Sequence, residues 1–173
     1  MREKRRGIVI TGFMGTGKST VGVMLARRLR REFVDLDSVI EEVEGKSIRD
    51  IFEEKGELYF RDVESRCLND VLSRPGMVVA TGGGAVIREE NRRRMREYGF
   101  VVCLTASPAV IEERVRETTV RPLLLGGDFR ERVRALLEER KEFYRDSDLT
   151  IVTDGKMPVQ VVDEILSHLE GLE

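Results

Sequence analysis

Short apolar runs alternate with stretches of helical periodicity along the 173-residue chain. That rhythm predicts repeated βα units and one parallel sheet. Strands are expected at 7–11, 33–36, 77–80, 100–104 and 149–153, a set that fits a doubly wound α/β sheet. Between them, Val21, Met24, Leu25 and Leu29 share one face of a helix over 18–31. Ser47 and Asp50 have the spacing of a capping box, and Ile48, Ile51 and Phe52 give the following helix its buried side until Gly56 stops it at 55. A longer helix is expected over 57–72, broken off by Pro75-Gly76. Ser107-Pro108 reads as an N-cap and first helical residue for a helix reaching about 117. Two more helices fit 130–146 and 158–169. No repeat, low-complexity tract or linker interrupts the pattern, and the length predicts a single domain over 1–173.

The segment 118–129 fits none of these patterns. It carries Arg121-Pro122, three leucines and Gly126-Gly127-Asp128, with glycines where a hinge would absorb backbone rotation. On its own residues it reads equally as a lid or as an ordinary surface loop.

Composition narrows the setting. Lys and Arg number 30 against 32 Asp and Glu, so bulk charge suggests neither a nucleic-acid nor a membrane partner. Charged residues make up 36% of the chain, and Asn69, Asn91 and Gln160 are its only amides. Such a balance resembles that of proteins from hot environments, where ion pairs cost less to desolvate, with simple compositional drift as the alternative. Cys67 and Cys103 lie in apolar surroundings without metal-ligand spacing, which predicts buried, reduced thiols in a cytoplasmic protein. No apolar run approaches the roughly 20 residues of a membrane span. The basic opening 1–6 leads straight into a short strand and then a glycine loop, so it reads as a solvated tail rather than a signal peptide.

The glycine loop is the strongest chemical signal. Gly12-Phe13-Met14-Gly15-Thr16-Gly17-Lys18-Ser19-Thr20 stands between the apolar run Ile8-Val9-Ile10 and the amphipathic stretch that begins at Val21. A strand, a glycine loop and a helix start in that order aim backbone N–H groups and the positive helix end at one anion. Lys18 adds a cation for terminal phosphates, and the Ser19 hydroxyl suits a magnesium ion that bridges them.

Other candidates should lie at the carboxyl ends of the strands, where open α/β sheets bind their ligands. Asp35 and Asp37 flank Leu36 at one such end. Extended alternation would send both carboxylates to one side, one to support magnesium and one to accept a hydroxyl proton, unless Asp37 is simply a helix N-cap. Thr81-Gly82-Gly83-Gly84 follows the third strand and lets backbone approach a small ligand closely. The third strand brings no acidic residue at Ala80-Thr81, so metal support must come from elsewhere, which is consistent with Asp35. Arg61 and Glu64 are three apart on a helix. Such a pair is usually a solvated surface contact, yet a carboxylate also holds a guanidinium in the fork geometry that suits a substrate carboxylate.

Taken in order, these motifs resemble the shikimate kinase family. The residues concerned are Gly12 to Thr20, Asp35-Leu36-Asp37, Phe60-Arg61 with Glu64, and Gly82-Gly83-Gly84-Ala85-Val86. Val120-Arg121-Pro122-Leu123-Leu124 and Arg140 before Tyr144 complete the set, so the likeness covers nearly the whole chain. The resemblance implies a three-layer phosphate-loop kinase fold of the nucleoside monophosphate kinase type, with strand order 2-3-1-4-5. It implies magnesium-dependent transfer of the ATP γ-phosphate to the 3-hydroxyl of shikimate, in aromatic amino-acid biosynthesis, by a cytoplasmic monomer.

Roles follow from the same resemblance. Asp37 would bind the reacting hydroxyl as base or orienting acceptor, with Lys18 and Arg121 serving the transferred phosphate. Gly15, Thr16, Gly17, Lys18, Ser19 and Thr20 would cradle the nucleotide phosphates, with Ser19 and Asp35 supporting magnesium. Arg114 would lie against adenine, whose other side is expected near 153–158. Arg61 and Arg140 would clamp the shikimate carboxylate, Gly82 and Gly83 would offer backbone contact, and Phe52 and Phe60 would wall the ring. The substrate-binding segment would be about 37–64, and the lid about 114–128. Arg92, Arg93 and Arg94 receive no functional role, and His168 reads as structural or solvent-exposed.

The nearest rival is a kinase for another small hydroxy acid such as gluconate, which would share the phosphate loop and lid. A nucleoside monophosphate kinase should need a nucleobase pocket in place of a carboxylate clamp. A GTPase switch is disfavoured because Asn69 and Asn91 are followed by Asp and Arg, leaving no Asn-Lys-x-Asp motif. A non-catalytic homologue finds no support, since every matched key position is intact.

Overall fold

The computed structural model describes residues 6–116 and 128–172. Five strands, β1 (Gly7–Gly12), β2 (Phe33–Asp35), β3 (Val78–Ala80), β4 (Gly99–Thr105) and β5 (Leu149–Val152), form one parallel sheet in the order β2-β3-β1-β4-β5. Parallel neighbours need crossovers. Helices α1 (Lys18–Leu29), α2 (Leu36–Glu44), α3 (Ile48–Lys55), α4 (Glu57–Leu72), α5 (Glu89–Tyr98), α6 (Pro108–Arg116), α7 (Phe129–Tyr144) and α8 (Pro158–Glu170) accompany the strands. The five-stranded sheet and its expected order are both observed.

Alternation along the strands divides the core between two faces of the sheet. Val9, Val34, Val79 and Val101 pack with Leu36, Ile40, Leu68 and Met95 under α2, α4 and α5. On the opposite face Ile8, Ile10, Val78, Val102 and Leu104 meet Leu25, Val162 and Ile165 of α1 and α8. A third cluster, including Phe13, Cys103, Ile111, Val133 and Tyr144, seats α6 and α7. Full burial of a side chain such as Leu68 or Ile165 contributes about 2 kcal/mol. Helices on both faces of the sheet therefore make a three-layer arrangement.

Local chemistry sets the element ends. The Ser47 hydroxyl accepts from Asp50 N at 3.1 Å to cap α3, and Gly56, at φ 85°, ends α3 and opens α4 over the expected 57–72. Asp128 caps α7 by accepting from the Arg130 and Glu131 N–H groups, so that helix begins at Phe129 rather than 130 and ends at Tyr144 rather than 146.

Two elements depart from expectation. The strand expected over 33–36 stops at Asp35, whose carboxylate accepts from the N–H groups of Asp37 and Ser38 and starts α2 at once. Asp35 is thus the N-cap, Asp37 lies in the first helical turn, and extended alternation does not relate the two acids. Helix α5 was not expected at all, because Met95 is its single buried apolar residue in a run of charges. Cys67 and Cys103 are buried free thiols, each pushed to higher pKa by burial. Among the described residues no helix is long and apolar enough to cross a membrane.

Register aligns the strand ends. Asp35 pairs with Ala80, Ala80 with Ile10, and Gly12 with Leu104, while Thr105 pairs with Val152. The segments that follow these positions therefore emerge along one carboxyl edge of the sheet.

Candidate active site

The loop leaving β1 wraps the start of α1. Gly15 and Gly17 adopt φ of 79° and 89°, a region that favours glycine, and α1 opens at Gly17 with no side-chain cap. Its first N–H groups thus face the loop's concavity with the positive end of the helix, a built anion site. Thr16 is buried and its hydroxyl donates to Phe13 O at 2.7 Å, which fixes the loop from inside. Lys18 Nζ folds back to donate to Gly12 O at 2.8 Å and Phe13 O at 2.9 Å, so its charge is held over the loop.

Ser19 and Thr20 are exposed beside it. The Ser19 hydroxyl donates to Asp35 Oδ2 at 2.5 Å. A hydroxyl and a carboxylate so placed at a phosphate loop are hard oxygen donors, and they fit magnesium, which keeps several waters and takes one or two protein ligands. Thr81, which follows β3, is buried and donates through its hydroxyl to Ile10 O.

A cavity of about 280 Å³ adjoins the loop, lined by Gly15, Thr16, Arg114, Thr153, Lys156 and Pro158 among others. Arg114 Nη1 donates to Gly15 O and Thr153 Oγ1, each at 3.1 Å, and bridges the loop to the end of β5. Ser107 N donates to Asp154 Oδ1, and hydrogen bonds from Ser107 hold that carboxyl below its usual range. The turn after β5 is therefore fixed against the start of α6.

A second cluster gathers around the glycine turn 82–84. A Cβ on Gly82 would stand 2.7 Å from Asp37 Oδ1 and 3.2 Å from Glu64 Oε2, and one on Gly84 would collide with the Arg61 guanidinium. One on Gly83 would stand 3.6 Å from Arg140 Nη1. Glycine at 82 and 84 is what lets Asp37 and Arg61 close on the backbone. Arg61 and Glu64 form a 2.8 Å ion pair, and the structure corrects the usual surface reading of such a pair because both side chains are buried. Burial pushes the Glu64 carboxyl above its usual range, with Arg61 opposing and Asp37 adding to the rise. Arg140 is 2% exposed, and its guanidinium lies 5.8 Å from the Phe13 ring centroid. Phe52 and Phe60 stack with centroids 4.6 Å apart, and Arg61 lies over Phe60.

Arg61 Nε, Glu64 Oε2 and Arg140 Nε are buried without hydrogen-bond partners among the described residues. Orphaned polar atoms of this kind are costly unless a ligand or water completes them. Two buried guanidinium groups facing a bare glycine turn, with a carboxylate beside them, suit a small hydroxylated anion.

Asp37, Arg61, Gly82, Gly83 and Arg140 are brought together, and Gly15 to Thr20, Asp35 and Arg114 assemble next to them. The acids are not a matched pair, since Asp35 turns to Ser19 while Asp37 turns to Gly82. Arg121 and most of the expected lid lie outside the described residues. Arg92, given no role from sequence, donates through Nη1 to Val86 O and Ile87 O and pairs through Nε with Asp146. Tyr144 donates to Gly83 O at 2.5 Å. Neither contact has a sequence signature beyond helical spacing. His168 is exposed, with Nδ1 2.9 Å from Glu164 O.

Comparison with known proteins is consistent across sequence and structure. Residues 14–170 match the family model described as shikimate kinase. The shikimate kinase of Persephonella marina is 46% identical over 95% of this chain and 99% of that protein. That of Geobacter metallireducens is 48% identical over 96% of this chain and 93% of its own. The structure of Acinetobacter baumannii shikimate kinase in complex with shikimate superposes with a TM-score of 0.95 at 37% identity, covering 99% of this chain and 96% of that one. A Sinorhizobium meliloti gluconokinase, at 20% identity and a TM-score of 0.61, shares the fold alone.

Proposed function

The chain belongs to the shikimate kinase family, and from that premise we propose how its own residues carry out the phosphoryl transfer. It is an ATP-dependent kinase whose acceptor is shikimate. The reading rests above all on the buried guanidinium pair, Arg61 and Arg140, converging with Asp37 on the glycine turn 82–84.

In the proposed reaction Arg61 and Arg140 take the shikimate carboxylate in their planar donor forks. Glu64 holds Arg61 in place at 2.8 Å, and the backbone of Gly82 and Gly83 borders the acceptor directly. Phe52 and Phe60 wall the carbocycle. Asp37 orients the 3-hydroxyl and takes its proton as that oxygen bonds to the γ-phosphorus and the bond to the β-phosphate oxygen breaks, leaving ADP. The N–H groups of Gly15 to Thr20 hold the phosphates, while Lys18 exchanges its loop carbonyls for phosphate oxygens. Ser19, supported by Asp35, would hold magnesium, which neutralises charge on the phosphates when bound. Adenine would occupy the cavity between Arg114 and the 153–158 turn. We place substrate binding in 37–64 and a lid in 114–128, within one domain over 1–173. From that lid Arg121 would reach the phosphates, in a cytoplasmic monomer.

A coupled assay with shikimate, gluconate and AMP as acceptors tests this. Shikimate should be turned over with ATP and magnesium in strong preference to both. Faster turnover of gluconate or AMP would refute the acceptor assignment.

A further inference from the structure

We propose that Tyr144 is a positioning residue: its hydroxyl locks the glycine turn 82–84 to α7 and so sets the spacing between the acceptor pocket and the phosphate loop. The proposal rests on the acceptor assignment above. Tyr144 is buried at the last position of α7, one turn beyond Arg140, which places both side chains on the same helix face. Its hydroxyl donates to Gly83 O at 2.5 Å, at the short end of the O–H···O range.

Gly83 is a junction. A Cβ there would stand 3.3 Å from Met14 N and 3.7 Å from Gly12 O on the phosphate-loop side, and 3.6 Å from Arg140 Nη1 on the clamp side. A shift of this residue therefore changes both distances at once. The far end of the same turn is pinned to the same helix by Arg92, which holds Val86 O and Ile87 O and lies 4.9 Å from the Phe143 ring centroid. Tyr144 is the pin at the ligand end.

The ring and the hydroxyl have separable tasks. The ring packs in the cluster of Phe13, Cys103 and Val133, a task that phenylalanine would keep. Burial pushes the phenol up to about 12, with the Arg140 charge and its hydrogen bond to Tyr144 opposing. Removing the hydroxyl would leave Gly83 O without this donor and free the turn to shift.

The test is calorimetric titration of wild type and Tyr144→Phe with shikimate and, separately, with magnesium-ATP. Tyr144→Phe should raise the Kd for shikimate roughly tenfold and leave that for ATP within about twofold. A role confined to stability would lower the melting temperature without separating the two ligands. An unchanged shikimate Kd, or equal losses for both ligands, would overturn the proposal. Failure of wild type to bind shikimate would instead overturn the acceptor assignment. A second measurement does not depend on that variant folding. Protein labelled with 3-fluorotyrosine has three tyrosine signals, and Tyr59→Phe with Tyr98→Phe assigns that of Tyr144 by elimination. Its fluorine resonance should shift on saturation with shikimate, and an unmoved resonance would also overturn the role.

Discussion

At the scale of single residues, the chemistry depends on how burial changes what a charge can do. Asp37 is half-buried beside Gly82, with the buried Glu64 carboxylate near the same point. As the proposed acceptor of the hydroxyl proton, it should be hard to replace. Asp37→Ala should lower kcat by about 10²- to 10⁴-fold in the coupled assay. A near-normal kcat would remove Asp37 from the proton's path.

Glu64 makes a different prediction, for stability. Its folded pKa is raised by burial above the ordinary 4.5, so the folded state holds that proton more tightly than the unfolded chain does. This contribution is fully present below the ordinary value and is lost as pH rises through the raised one. Thermal melts across that window should show wild type losing stability relative to Glu64→Gln as pH increases. A difference that runs the other way would mean that the Arg61 pair outweighs burial.

At the scale of elements, capping and close approach decide where functional groups stand. Ser47→Ala removes the side-chain acceptor of α3 and should cost about 1 kcal/mol, a fall of roughly 2–4 °C in melting temperature for a chain of this length. Gly84→Ala acts on the turn itself. The Arg61 guanidinium occupies the space a Cβ needs, so the variant should weaken shikimate binding by roughly tenfold or more while sparing ATP. Retained shikimate affinity would show that Arg61 relocates without cost.

Most elements were legible because their apolar period agrees with their start and stop signals, as at 47–55, where Ser47 caps the helix and Gly56 ends it. Helix α5 was not, since Met95 alone supplies an apolar anchor while Asn91 is buried through a bond to Ala85 O. Helix α2 did carry Leu36 and Ile40 at helical spacing. Its first turn was obscured because Asp35-Leu36-Asp37 reads equally well as the end of a strand. Capping by Asp35 resolves the ambiguity, and no periodicity reports a cap's hydrogen bonds.

At the scale of the whole molecule, a parallel sheet with aligned strand ends presents two sites side by side. The phosphate loop was readable from its own spacing, since the glycines, Lys18 and Ser19 are contiguous. The proposed acceptor half draws Asp37, Arg61, Gly83 and Arg140 from four separate segments, and residue spacing alone cannot place them together. The family resemblance named them, and the fold brings them around one turn. Burial of the Arg61–Glu64 pair and the Tyr144 tether had no sequence signal, because each depends on what other elements pack against.

In the proposed site one half reads the nucleotide and the other reads the acceptor carboxylate through fork geometry. The most direct measurement is calorimetric titration of wild type and Arg61→Lys with shikimate and with magnesium-ATP. Lysine keeps the charge and loses the planar fork. The shikimate Kd should rise by roughly 10- to 100-fold with the ATP Kd nearly unchanged; equal losses for both ligands, or none for shikimate, would mean that the Arg61 fork does not read the acceptor carboxylate.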